Sequence, residues 1–198
     1  MIEITNKINQ KPYKLLYDYY YKAIEHSQES IDAICISSFD NLKKEVDSRY
    51  VNLKFIIGNK FIFFTNYDSP KSFQFKSHAQ VAVVIFWPKI NIQIRIKAHI
   101  DKADFDFSND YFKHRSDKKN ALAICSRQSK PTRSFNELRK NYDSVLNSAD
   151  LSKRPSYWGG FELTPYYFEF WQGDDNRLNK RVSYSQNSGS WEETNLQP

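Results

Sequence analysis

The chain has 198 residues, 40% of them hydrophobic, enough for one cored domain and too few for several. Lys and Arg number 29 against 23 Asp and Glu; the formal charge of +6 suits anionic partners, but the cations sit in short runs such as Lys118-Lys119 and Lys180-Arg181, which argues against a nucleic-acid tail. Five glycines are too few for a glycine-rich phosphate loop, and the four histidines show no metal-ligand spacing with each other or with Cys35 and Cys125.

In chain order, a helix is expected from Pro12 to about Ser27, with Tyr13, Leu16, Tyr20, Ala23 and Ile24 as its apolar stripe. Nothing before it is apolar enough for a signal peptide or membrane span, and two thiols among apolar residues read as buried and free, so a cytoplasmic protein is expected. Short β-rich runs follow at Ala33–Phe39, Arg49–Ile57 and Lys60–Thr65, the last two joined by a Gly58-Asn59 hairpin turn. Ser69-Pro70 opens a short helix with the hydroxyl as cap. Val81–Trp87 is a nearly continuous apolar run, as in a central strand, ended by Pro88. Ile92–Ile100 alternates, placing Gln93, Arg95, Lys97 and His99 on one face and isoleucines with Ala98 on the other.

A helical stretch is expected from about Ser108 to Asn147, its last helix started by a Ser134/Glu137 capping box and carrying Phe135, Leu138, Tyr142, Val145 and Leu146 on its apolar face. Strands return at Tyr157–Glu162, Tyr167–Trp171, Arg181–Tyr184 and Trp191–Asn195, with breaks at Pro165 and Gly173. Strands, a helical insertion and more strands predict a single α+β domain over 1–198 around an antiparallel barrel. Aromatics make up 16% of the chain, either as a β core or as rings lining a site for a flat ligand.

Any phosphate here must be held by Arg, Lys, Ser and backbone donors. Arg154-Pro-Ser-Tyr-Trp-Gly-Gly-Phe161, Phe168-Glu-Phe-Trp-Gln-Gly173, Arg177-Leu-Asn-Lys-Arg181 and the terminal Asn-Leu-Gln-Pro together resemble the C-terminal signature of the pyridoxamine 5'-phosphate oxidase family. If 177–181 is extended, Arg177, Asn179 and Arg181 project from one face as a binding row. The resemblance implies a split-barrel flavoprotein that binds flavin mononucleotide (FMN). It also implies a homodimer with FMN at the interface, and oxidation of a phosphorylated B6 vitamer by dioxygen with release of hydrogen peroxide.

Residue by residue, the resemblance implies that the strand Arg49, Tyr50, Val51, Asn52, Leu53, Lys54 runs along the flavin, with Arg49 on the FMN phosphate and Lys54 on the substrate phosphate. A regular strand sends Arg49 and Lys54 to opposite faces. Phe64, Thr65, Lys71, Gln93, Gln128, Ser129, Trp171 and Arg181 fall on further cofactor positions, and Tyr111, Arg115 and Lys119 on substrate-phosphate positions. Arg177 and Asn179 fall beside the substrate ring as the catalytic pair. Three residues depart from the family pattern: Pro70 stands for a basic residue, Lys119 for a serine and Asn179 for a histidine. Rival expectations are a flavin oxidase of the phenazine-biosynthesis kind, acting on another ring, and a non-catalytic module binding FMN or pyridoxal phosphate. A basic nucleic-acid-binding barrel is the weakest of them, for want of a motif.

Overall fold

The computed structural model describes all residues, 1–198. In chain order the elements are β1 (Glu3–Thr5), α1 (Lys11–Glu25), β2 (Ala33–Asp40), β3 (Glu45–Ile57), β4 (Lys60–Asn66), α2 (Pro70–Ser77), β5 (Gln80–Trp87), β6 (Ile92–Lys102), α3 (Phe105–Lys113), α4 (Asp117–Cys125), α5 (Phe135–Ser148), β7 (Trp158–Gln172), β8 (Lys180–Asn187) and β9 (Ser190–Leu196). Six strands close into a ring. β3 pairs β2, β2 pairs β5, β5 pairs β6, β6 pairs β7, β7 pairs β4, and β4 returns to β3, all antiparallel. Closure gives each of these six two strand neighbours, although residues 45–52 of β3 pair only with β2. β1 adds to β3 in parallel, while β8 and β9 continue the sheet from β7. The fold is α+β, an antiparallel split barrel with helices around it.

Alternation explains what fills the barrel. Ile92, Ile94, Ile96, Ala98 and Ile100 of β6 are buried, and they join Ile34, Ile36, Leu53, Phe61, Phe63, Phe168 and Phe170 in one core. Each fully buried Phe or Ile there contributes about 1.5–3 kcal/mol. Helix α1 packs Tyr13 edge-on to Phe61 and Phe168, and the Tyr20 hydroxyl bonds both backbone groups of Ile2, tying β1 down. Tyr17, not Ile24, completes the helix stripe, because Ile24 faces water.

Several expectations are corrected. The helical stretch is made of three helices, and α5, expected to carry an apolar face, has no buried residue; Phe135 is exposed. Ser134 caps α5 through Glu137 N–H as expected. Ser69 occupies the cap position of α2, yet its hydroxyl bonds the Asn66 carbonyl and the Ser72 hydroxyl instead of a helix N–H. β5 is buried on one face only; Ala82 and Phe86 lie outside. The two thiols are half-buried.

β7 runs through Pro165 unbroken, because the register slips there: Lys97 faces Tyr167 while Ala98 faces Pro165. A bulge is where a strand tolerates a residue that cannot donate to the ladder. Residues 177–181 are not extended throughout: Arg177 takes φ 63 in a turn, and β8 starts at Lys180.

Candidate functional site

A second bulge shapes the main cleft. Leu53 pairs with Phe63 but Phe55 pairs with Ile62, so Lys54 is the extra residue of β3. Arg49 and Lys54, expected on opposite faces, both line one cleft of about 520 Å³, which takes in Arg49 to Asn52 from both faces of the strand as well as Lys54. Its walls bring together Arg49, Tyr50, Val51, Asn52 and Lys54 from β3, Phe64 and Thr65 from β4, and Lys71 from α2. Tyr111 enters from α3, Arg115 from the turn between α3 and α4, Lys119 from α4, and Gln128 and Ser129 from the loop after them.

The cations form two groups. Arg49 donates to the Ser38 hydroxyl at 2.6 Å, the Gln74 side-chain carbonyl at 2.9 Å and the Asp47 carboxylate at 2.5 Å. Beside it Lys71 is only 7% exposed and donates to the Ser69 hydroxyl at 3.1 Å, with no carboxylate in ion-pair range. Burial, then the charge of Arg49, lowers the Lys71 ammonium from its usual 10.5 to about 8, against a smaller opposing pull from Asp47. Burial works to raise the Asp47 carboxyl, but the bond and charge of Arg49 outweigh it and hold it below the usual range. A buried ammonium without a counter-ion costs several kcal/mol, which an anion in the cleft offsets.

The second group comprises Lys54, Arg115 and Lys119. Lys54 is paired with Asp32 at 2.5 Å; burial works against the Asp32 carboxylate, yet the Lys54 bond keeps that carboxyl low. Arg115 donates to the Asn120 side-chain carbonyl and to the Lys119 backbone carbonyl, and no acid neutralises it. Burial lowers its pKa, and Tyr111 opposes that. Lys119 is exposed at the rim.

The second group packs against an aromatic wall. Phe64 stacks on Tyr111 with centroids 3.9 Å apart and on Trp158 at 5.3 Å, and Arg115 lies 4.3 Å over the Trp158 ring. Gly159 and Gly160 make this possible. A Cβ on Gly159 would come within 2.2 Å of the Tyr67 hydroxyl, and one on Gly160 within 2.8 Å of the Ala103 Cβ. Gln128 accepts from the Thr65 hydroxyl and Asn66 N–H, fixing the loop in which Ser129 takes φ 66.

Six residues expected at the site lie elsewhere. Leu53 is wholly buried in the core. Gln93, Trp171 and Arg181 are cross-strand neighbours on β6, β7 and β8, a patch separate from the cleft. Arg177 is exposed in the adjoining turn, and the Asn179 side chain accepts from Asp174 N–H, closing that loop. Sequence reasoning missed Trp158, Asp47 and the polar partners Ser38 and Gln74. Asp47 was accessible, since it shares a strand face with Arg49 at period two; Trp158 needed the pairing of β4 with β7, which places it against Phe64.

Comparison with known proteins adds the following. The profile described as the pyridoxine 5'-phosphate oxidase C-terminal dimerisation region matches residues 158–198. A pyridoxine/pyridoxamine 5'-phosphate oxidase of Hydrogenovibrio crunogenus is 35% identical over 191 residues, covering 94% of this chain and 88% of the relative. The crystal structure of PhzG from Burkholderia lata, in complex with tetrahydrophenazine-1-carboxylic acid, superposes with a TM-score of 0.89 at 23% identity, over 96% of this chain and 93% of that one. A pyridoxamine 5'-phosphate oxidase-related, FMN-binding protein of Nostoc punctiforme gives 0.79 at 13% identity, over 96% of this chain and 99% of that one. The likeness to these two structures is one of fold. With more than 30% identity to a curated relative across nearly all of its length, the chain belongs to the pyridoxine/pyridoxamine 5'-phosphate oxidase family.

Proposed function

We propose that the protein is an FMN-dependent oxidase of pyridoxamine 5'-phosphate and pyridoxine 5'-phosphate. The observation that carries this reading is the division of the cleft's cations into two groups, Arg49 with the buried Lys71, and Lys54 with Lys119 and the Arg115 that packs on the aromatic wall. A buried Lys71 beside Arg49 fits the terminal phosphate of FMN, with Ser129 as a further donor. No dinucleotide fingerprint is present to hold the pyrophosphate of a larger flavin. Lys54, Arg115 and Lys119, with the Tyr111 hydroxyl, fit a second phosphate, that of the substrate. A ring substrate without phosphate leaves that second group without a role, which disfavours the phenazine-type reading.

When bound, the flavin supplies the electron acceptor for the substrate's C4' carbon, and dioxygen takes the electrons on to hydrogen peroxide. The chain's own residues bind and orient. The second cation group anchors the substrate phosphate, so that the reacting carbon is held at one place along β3. Thr65 and Gln128, bonded to each other, present polar atoms along the cleft. In this reading Gln93, Trp171, Arg181, Arg177 and Asn179 serve the cleft of a second copy, and the match of residues 158–198 to a dimerisation region supports that arrangement.

The test is direct. Cofactor released by heat and identified by chromatography is expected to be FMN, and addition of pyridoxamine 5'-phosphate in air is expected to release peroxide. Recovery of FAD, or no flavin uptake after soaking with FMN, overturns the proposal.

A further inference from the structure

Beside the Gln93–Trp171–Arg181 row, on the same face of β6 and β7, lies a buried carboxylate to which the proposed chemistry assigns no role. Glu169, near the C-terminal end of β7, is only 3% exposed. Its Oε2 accepts from Arg95 Nη1 at 2.8 Å and from the Tyr167 hydroxyl at 3.0 Å. Its Oε1 accepts from Arg181 Nε at 3.2 Å and Nη2 at 2.8 Å. Arg181 Nη1 is held in turn by the Gln197 backbone carbonyl at 2.9 Å, just past β9. Of the five N–H donors of a guanidinium, three are thus fixed, and two remain to serve a ligand.

Burial works against the Glu169 carboxylate, but the Arg181 and Tyr167 bonds and the two arginine charges hold it ionised. A carboxylate kept buried between two arginines is an expensive way to stabilise a sheet, since apolar residues of similar volume do as well or better. Its return is orientation: a guanidinium clamped on three sides loses little freedom when it binds.

We propose that Glu169, with the Gln197 carbonyl, is a positioning residue that presets Arg181 as a donor to the flavin; this rests on the reading above, in which Arg181 serves the cofactor. Charge alone makes the opposite forecast. Replacing Glu169 by glutamine leaves two arginines uncompensated, and the added positive charge favours an anionic ligand. Positioning requires that binding weaken instead.

The experiment is a fluorescence titration of FMN into cofactor-stripped protein. Its variants are Glu169→Gln, Arg181→Met, their combination, and Glu169→Gln/Arg95→Met, which restores the cluster's original net charge. Wild-type protein is titrated first: if it takes up no FMN, the functional reading fails and not the positioning role. Given wild-type binding, Glu169→Gln is expected to weaken FMN about 10- to 100-fold, matching one charge-assisted contact. Glu169→Gln/Arg95→Met is expected to be equally weak. In the Arg181→Met background Glu169→Gln is expected to change affinity less than about twofold, because its target is gone. The bound flavin's absorption spectrum is expected to shift alike in the Glu169→Gln and Arg181→Met proteins. Unchanged or tighter binding in Glu169→Gln overturns the proposal, as does an undiminished effect in the Arg181→Met background. Should Glu169→Gln alone not fold, the charge-restored double variant decides by the same criteria.

Discussion

Lys71 makes the cleft's purpose measurable without any ligand. Its folded pKa of about 8 lies below its usual 10.5, so between those pH values the unfolded chain binds more protons than the folded one. The Lys71 contribution to the stability of the cofactor-free protein therefore rises as pH climbs from 8, before the buried tyrosines, whose pKa values burial raises, oppose it near pH 10; below pH 8 the buried charge exerts its full cost, on the order of 3 kcal/mol. Lys71→Met is expected to raise the neutral-pH stability of cofactor-free protein by roughly 1–3 kcal/mol, to abolish the rise above pH 8, and to weaken FMN binding at least tenfold. Urea denaturation at a series of pH values, beside an FMN titration, checks all three. A variant less stable than wild type at pH 7 identifies Lys71 as a structural lysine. The residue type was legible in the sequence, but its burial was not: a lysine after Ser-Pro reads as a solvated helix start until Ser69 and Arg49 are seen to enclose it.

At the scale of elements, the strands were legible where alternation is clean, as in β6, and the Gly58-Asn59 turn falls where it was expected. What the sequence concealed are register shifts. Two bulges, at Lys54 and near Pro165, reverse the alternation, and neither leaves a period-two signal. The extended geometry expected at 177–181 is absent for a related reason: Arg177 takes a left-handed turn that its residue type does not announce. The Gly159-Gly160 pair shows how tightly an element can be tied to the site. Gly159→Ala must displace Tyr67 or β7, and with β7 the Trp158–Phe64 stack. A loss of about 1–3 kcal/mol is expected in urea denaturation, together with weaker FMN binding. Wild-type stability and affinity in that variant contradict the close approach.

For the whole molecule, the proposed second copy accounts for the separation of cleft and C-terminal patch. The outer face of β5 leaves Phe86 more than half exposed, and Tyr50 stands 76% exposed at the cleft, the kind of surface a partner covers. Light scattering is expected to find a homodimer. A mixing experiment is sharper. Arg49→Glu disables the cleft and Arg181→Met disables the patch, so each homodimer is expected to bind FMN poorly. After unfolding and refolding together, mixed dimers hold one intact site each, and about a quarter of all sites are expected to recover. No recovery on mixing places each site within one chain.

The central claim is that this cleft oxidises a phosphorylated vitamer. Anaerobic titration of FMN-loaded protein with pyridoxamine 5'-phosphate, followed by absorbance, tests it most directly. The expected result is stoichiometric bleaching of the flavin, reversed on admitting air with release of peroxide, and far weaker bleaching by unphosphorylated pyridoxamine at equal concentration. Flavin that binds but never bleaches, or bleaches equally with both compounds, contradicts the account.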